Sequence, residues 1–130
     1  MGLEVGRINE LEMTVSREMC ADHLGNGGIQ VLATPFLIGI LEGVAADLIQ
    51  TELEEGQGSV GVQVNVRHLA ATPVGMKVRA RAQLAEINGK RMLFHVEARD
   101  DVEVVMSGTH ERYVLDSIER FLARVRSKGA

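Results

Sequence analysis

Thr34-Pro35-Phe36-Leu37-Ile38-Gly39-Ile40-Leu41-Glu42-Gly43-Val44-Ala45-Ala46 is the stretch on which the fold turns. A threonine followed by a proline is a helix-start signal, with Thr34 suited to the cap and Pro35 to the first helical position. The pattern predicts a helix from here to about Glu54, stopped by Glu55-Gly56-Gln57-Gly58. Its first half is apolar over most of its circumference, and its polar residues Asp47, Gln50, Thr51 and Glu54 come late. A helix that is greasy on most sides has to be wrapped by other structure.

Strands supply the wrapping. Leu11, Met13 and Val15 alternate ahead of the helix and predict a first strand, followed by a glycine-rich loop at Leu24-Gly25-Asn26-Gly27-Gly28. Beyond the helix, Ser59 to Ala70 alternates, which puts Val60, Val62, Val64, Val66 and His68 on one predicted face. Ala71-Thr72-Pro73-Val74-Gly75 reads as a turn, and Met76 to Ile87 alternates again. Asn88-Gly89 is a hairpin signal, because both positions accept positive φ. Arg91 to Arg99 and Val102 to Leu115 read as two more strands, the second interrupted at Ser107-Gly108. Ile118 to Arg126 reads as a short closing helix whose basic last turn suits the helix dipole. The order predicts one α+β domain over residues 1–130, with the last four strands forming an antiparallel meander around the long helix. That is the hotdog arrangement, a central helix wrapped by a curved antiparallel sheet. Such a sheet leaves an edge strand open, and pairing two chains along it predicts a homodimer.

Composition narrows the function. A chain of 130 residues, 45% hydrophobic and 25% charged, fits one soluble domain. The formal net charge of −4 and the four aromatics Phe36, Phe94, Tyr113 and Phe121 argue against a nucleic-acid partner. No apolar run is long enough to span a bilayer, and the N-terminus lacks the basic-then-apolar pattern of a signal peptide. Cys20 is the single cysteine, so no intrachain disulfide forms, which fits a reducing cytoplasm. Although His23 is near, Cys20 reads as an incidental thiol rather than a nucleophile. No histidine pair has helical metal-ligand spacing, so no metal and no cofactor are expected.

Chemistry is suggested by Glu42 first. A carboxylate among Ile38, Gly39, Ala45 and Ala46 is costly to bury unless it has a task, and general acid/base or nucleophilic work is one. His68 ends an alternating strand on the side of its valines, where an imidazole can share a proton. Thr34 sits where free helix amides can stabilise an oxyanion. Eight residues separate it from Glu42, about 12 Å along a helix axis, too far for direct contact unless Thr34 curls back from the loop. His95 and His110 carry less signal.

Four segments give this chain a family likeness: Gly39-Ile40-Leu41-Glu42, Glu55-Gly56-Gln57-Gly58-Ser59-Val60-Gly61, His68-Leu69-Ala70-Ala71-Thr72-Pro73-Val74-Gly75 and Ser107-Gly108-Thr109-His110-Glu111-Arg112. In these the chain resembles the fluoroacetyl-CoA thioesterase-like family of hotdog enzymes, from about Val5 to Lys128. The resemblance implies a dimeric hydrolase of short acyl-CoA thioesters, with Thr34, Glu42 and His68 as catalytic residues and Gly61 as a substrate-binding glycine. It departs in two places. Residues 24–33 carry no aromatic lid residue, and Gly43 stands where the fluoroacetyl-specific enzyme has a bulky tryptophan. Both imply a roomier pocket not tuned to fluoroacetyl-CoA. A hotdog enoyl-thioester hydratase or dehydratase, and a non-catalytic acyl-CoA binding module, are the rival readings. Arg67, Lys77, Arg79, Arg81, Lys90, Arg91 and Arg112 are the cations available for CoA phosphates.

Overall fold

The structure, a computed structural model, describes residues 2–129. Five strands form one antiparallel sheet: β1 (Ile8–Thr14), β2 (Gly58–His68), β3 (Lys77–Asn88), β4 (Arg91–Asp100) and β5 (Val104–Leu115). The long helix α1 (Thr34–Gln50) lies across one face, and α2 (Ile118–Arg126) closes the chain. Two short 3-10 turns, Arg17–Met19 and Ala21–Leu24, link β1 to α1.

The core forms where one stripe of α1 meets the inward side of the sheet. Leu37, Leu41, Val44, Ala45, Leu48 and Ile49 recur at helical spacing and are buried. They face Val78, Ala80, Ala82 and Leu84 of β3 and Met92, Phe94, Val96 and Ala98 of β4, all buried. The small Ala80 and Ala82, fully excluded from solvent, let the helix sit close to β3. The helix is not wrapped on most sides, as its composition suggested. Phe36, Gly39 and Gly43 are exposed on the side away from the sheet. It also ends at Gln50 rather than near Glu54, with the Thr51 hydroxyl donating to the Leu48 carbonyl at 2.9 Å.

The strand order is β1-β3-β4-β5-β2. Only β3, β4 and β5 form a meander; β2 pairs with β5 at one edge, and β1 with β3 at the other. The predicted four-strand meander fails because Ala71–Gly75 is no hairpin. Its backbone is tied elsewhere: Leu32 donates to the Thr72 carbonyl at 2.9 Å and Gly75 to the Val15 carbonyl at 2.8 Å. Thr72 is buried and donates its hydroxyl to Asp100 at 3.0 Å. These bonds carry the chain across the sheet instead of back along β2.

Two local readings are corrected as well. The β3–β4 loop is Gly89-Lys90, closed by the Asn88–Arg91 pair, and only Gly89 has positive φ, at 63°. Glycine in the first loop position gives the twist a two-residue hairpin needs. In β5, Ser107 and Gly108 do not interrupt the strand. A Cβ at Gly108 would lie 2.0 Å from the Asn65 carbonyl oxygen, so glycine is what lets β5 and β2 approach.

The two sheet edges differ. On β1, Glu10 and Glu12 pair with Arg79 and Lys77, which puts charge on that rim. On β2, Val62 is 53% exposed and Val64 37%, an apolar edge with no strand partner among the described residues. Also among the described residues, no helix is long and apolar enough to cross a membrane.

Candidate active site

A β-bulge in β2 builds the site. Gly61 pairs with Arg112 and Gln63 with Glu111, so Val62 is the extra residue. The insertion reverses the alternation, and the expectation of Val60, Val62, Val64, Val66 and His68 on one face is overturned. Before the bulge, Ser59 and Gly61 sit opposite the inward Val114 and Arg112; after it, Val64, Val66 and His68 sit opposite His110, Gly108 and Met106. Val60 lies opposite the exposed Tyr113 and faces outward.

The bulge turns Gly61 toward Glu42. A Cβ on residue 61 would lie 2.7 Å from Glu42 Oε2, 3.1 Å from His110 Cε1 and 3.4 Å from Arg112 Nη1. Glu42 is therefore not locked in a greasy interior: its side chain is 40% exposed, in the gap that the missing side chain leaves. Beside it lies Arg112, whose Nη1 is 3.8 Å from Glu42 Oε2, an ion-pair distance too long for a hydrogen bond. Arg112 is itself buried and held by three donated bonds: Nε to Ser59 Oγ at 2.9 Å, Nη2 to the Ser59 carbonyl at 3.0 Å and Nη1 to His110 Nε2 at 3.1 Å. Burial pushes the guanidinium below its ordinary value, and Glu42 pulls it back up. An arginine remains charged through such a shift, so a fixed cation faces the carboxylate.

The other half of the site is a hydroxyl–imidazole pair. Thr34 is not the helix cap; Ala33 holds that position with no side-chain bond, and Thr34 and Pro35 open the first turn. The hydroxyl, free of capping, lies 2.6 Å from His68 Nδ1. Burial pushes the His68 imidazole below its ordinary value, and its Nε2 is buried with no hydrogen-bond partner among the described residues. A cavity of about 560 Å³ opens beside the pair, lined by Asn26, Ile29, Val31, Leu32, Pro35 and Leu69 among others.

Within one chain the three predicted catalytic residues form no single cluster. Thr34 does not curl back; it is the first residue of α1, a further eight residues along the axis from Glu42. One group is Thr34 with His68, the other Glu42 with Gly61, Arg112 and His110. In the sequence His110 carries little signal and Arg112 stands as one of several cations suited to phosphates. Their signal lay in β5, where Met106, Gly108, His110, Arg112 and Val114 occupy alternate positions on the inward face. The remaining cations are mostly paired on the surface: Lys77 and Arg79 with β1 carboxylates, Lys90 with Asp116, Arg91 with Glu111. Cys20 is fully buried and donates to the Ser16 carbonyl at 3.5 Å, which suits a packing thiol. Among the described residues, no group of three His, Cys, Asp or Glu could hold a metal.

Comparison with known proteins matches this geometry to one family. A model of the fluoroacetyl-CoA-specific thioesterase matches residues 15–118. The chain is 41% identical over 99 residues to a fluoroacetyl-CoA thioesterase of Streptantibioticus cattleyicolor, covering 76% of this chain and 70% of that protein. It is similar to the solved structure of the fluoroacetyl-CoA thioesterase FlK, with a TM-score of 0.92, 35% identity and 98% of each chain covered. A hot-dog-like protein from Thermanaerovibrio acidaminovorans has a TM-score of 0.89 at 24% identity, covering 97% of this chain and 93% of that one, a likeness of fold alone. The sheet and helix described above are thus the hotdog fold.

Proposed function

Because the chain belongs to the fluoroacetyl-CoA-specific thioesterase family and is an acyl-CoA thioester hydrolase, we propose that it hydrolyses a short acyl-CoA at a site shared by two copies. Glu42 is the base or nucleophile. As base it takes a proton from water, the water oxygen bonds to the thioester carbonyl carbon, and the C–S bond breaks as the tetrahedral intermediate collapses. The proton that Glu42 took passes through His68 to the leaving CoA thiolate, and Thr34 orients the carbonyl or the ring. As nucleophile, the Glu42 carboxylate bonds to the carbonyl carbon, the C–S bond breaks as the CoA thiolate leaves, and water then opens the resulting transient anhydride. Gly61 leaves the space in which the carbonyl meets the carboxylate. The observation that carries this reading is Glu42 held over Gly61 beside the buried Arg112, at the open edge of the sheet.

A homodimer completes the site. In antiparallel pairing of two copies of β2 about a twofold axis, residues equidistant from the axis face each other. An axis near Val64 and Asn65 sets Gly61, with Glu42 behind it, close to the partner's His68. The apolar free edge of β2 and the uncovered side of α1 support such pairing. The roomier, aromatic-free segment over residues 24–33 favours a short acyl group other than fluoroacetyl. The single buried thiol fits a cytoplasmic enzyme.

The test is release of free thiol from acetyl-, short branched and arylacetyl-CoA, with Glu42→Gln alongside. Thiol release that this variant abolishes supports the reading. Near-normal turnover by the variant, or hydration of an enoyl-CoA without thiol release, overturns it.

A further inference from the structure

We infer that His110 is a positioning residue for Glu42, acting through Arg112; the inference rests on the proposed role of Glu42. His110 is 1% exposed and touches both ends of the machinery. Its Nδ1 lies 2.9 Å from the carbonyl oxygen of Gln63, the residue that closes the bulge. Because a carbonyl only accepts, Nδ1 carries the proton and donates. Nε2 is then a lone pair, which accepts from Arg112 Nη1 at 3.1 Å. One tautomer satisfies both bonds, and protonation of Nε2 would set two donors against each other.

The consequence is geometric. Ser59 holds Nε and Nη2 of Arg112, but Nη1, the nitrogen nearest Glu42, has His110 as its hydrogen-bond partner. The imidazole is fixed in turn by near-parallel stacking on Phe94, with centroids 6.4 Å apart and planes at 28°. The bulge that turns Gly61 inward and the cation that faces Glu42 are thereby registered to one rigid ring. A histidine serving only to fill the core would need neither its Nε2 acceptor nor that acceptor's alignment with Nη1.

Two substitutions separate these roles. His110→Asn keeps a donor where Nδ1 stood and removes the Nε2 acceptor; His110→Gln puts an acceptor near the Nε2 position and loses the Nδ1 donor. If His110 positions Arg112, His110→Asn loses about 10- to 100-fold in kcat with KM little changed, and His110→Gln recovers much of that loss, whichever variant melts higher. The Arg112 Nε–H resonance in a ¹H–¹⁵N spectrum should move in His110→Asn and return toward its wild-type position in His110→Gln. That spectrum reads Arg112 without reference to turnover, so it answers even if the role of Glu42 fails. Wild-type kcat in His110→Asn, no recovery of kcat in His110→Gln, or an unmoved Arg112 resonance overturns the inference.

Discussion

Glu42 and Gly61 occupy complementary halves of one space: the carboxylate oxygen of Glu42 lies 2.7 Å from where a Cβ of residue 61 would stand. The helix that carries the acid and the bulged strand that carries the glycine come from separate parts of the chain. The free volume between them exists only because residue 61 lacks a side chain and the bulge turns it inward.

Gly61→Ala should therefore damage activity more than folding. The group it meets first is the far end of a flexible, 40% exposed side chain, which can swing away at small cost. We expect kcat to fall at least about tenfold while the melting temperature moves little. Gly108→Ala should do the reverse, because its Cβ would meet backbone at 2.0 Å and cannot be accommodated without parting β5 from β2. An overpacking cost of about 1–3 kcal/mol is expected. Thermal melts and initial rates on both variants check the contrast, and equal melting temperatures would refute it.

Glu42→Gln keeps the size of the side chain in a half-exposed position, so the variant should fold as wild type does. Loss of a positioned acid/base typically costs about 10²–10⁴-fold in rate. Circular dichroism together with thiol-release kinetics makes the measurement.

Thr34→Val tests a hydroxyl that has no capping duty. Ala33 is the cap, so α1 should lose no stability beyond a few tenths of a kcal/mol. His68 would lose its partner at 2.6 Å, and kcat should drop with the fold intact. A large fall in melting temperature would mean that the hydroxyl serves the helix after all.

A shared site predicts complementation. Glu42→Gln and His68→Ala dimers, each inactive alone, should regain activity when unfolded together and refolded as mixed dimers. Random reassortment makes about half the dimers mixed, each with one intact site of two, and so about a quarter of wild-type activity. Mixtures that stay inactive would show that each site is built from one chain.

Acidification should weaken the fold through two histidines. Burial pushes both His68 and His110 below the ordinary value of 6.5, with the Arg112 guanidinium adding to the effect at His110. Between the depressed folded values and 6.5 the unfolded chain binds more protons, so stability rises with pH across that window. The contribution is complete above 6.5 and is lost as pH falls toward the folded values. Urea unfolding at steps from pH 7.5 to 5 should show this decline, and His68→Asn should reduce its slope. Asp100 is depressed as well, but its share is lost only below the ordinary carboxylate range, outside this window.

Much of the architecture was legible in the chain. Local periodicity marked α1 and the five strands, because a buried stripe imposes a 3.6-residue repeat and a half-buried strand a repeat of two. The family segments contain Glu42, His68 and Gly61, and Thr34 stands at the helix start beside them. Local pattern could not reveal how β2 is paired, since the bonds that carry Ala71–Gly75 across the sheet link residues far apart in sequence. Nor could alternation survive the bulge at Val62, where one added residue reverses the face of everything before it.

The sequence alone thus determined which elements form and which residue types are available for acid/base chemistry, because propensity, period and residue type are local properties. Tertiary structure decided the rest. It joined β2 to β5, set Glu42 over Gly61, gave Arg112 and His110 their buried places beside it, and freed the Thr34 hydroxyl for His68. Those relationships come from packing one helix against a sheet whose strands are remote in sequence, and no local pattern encodes them.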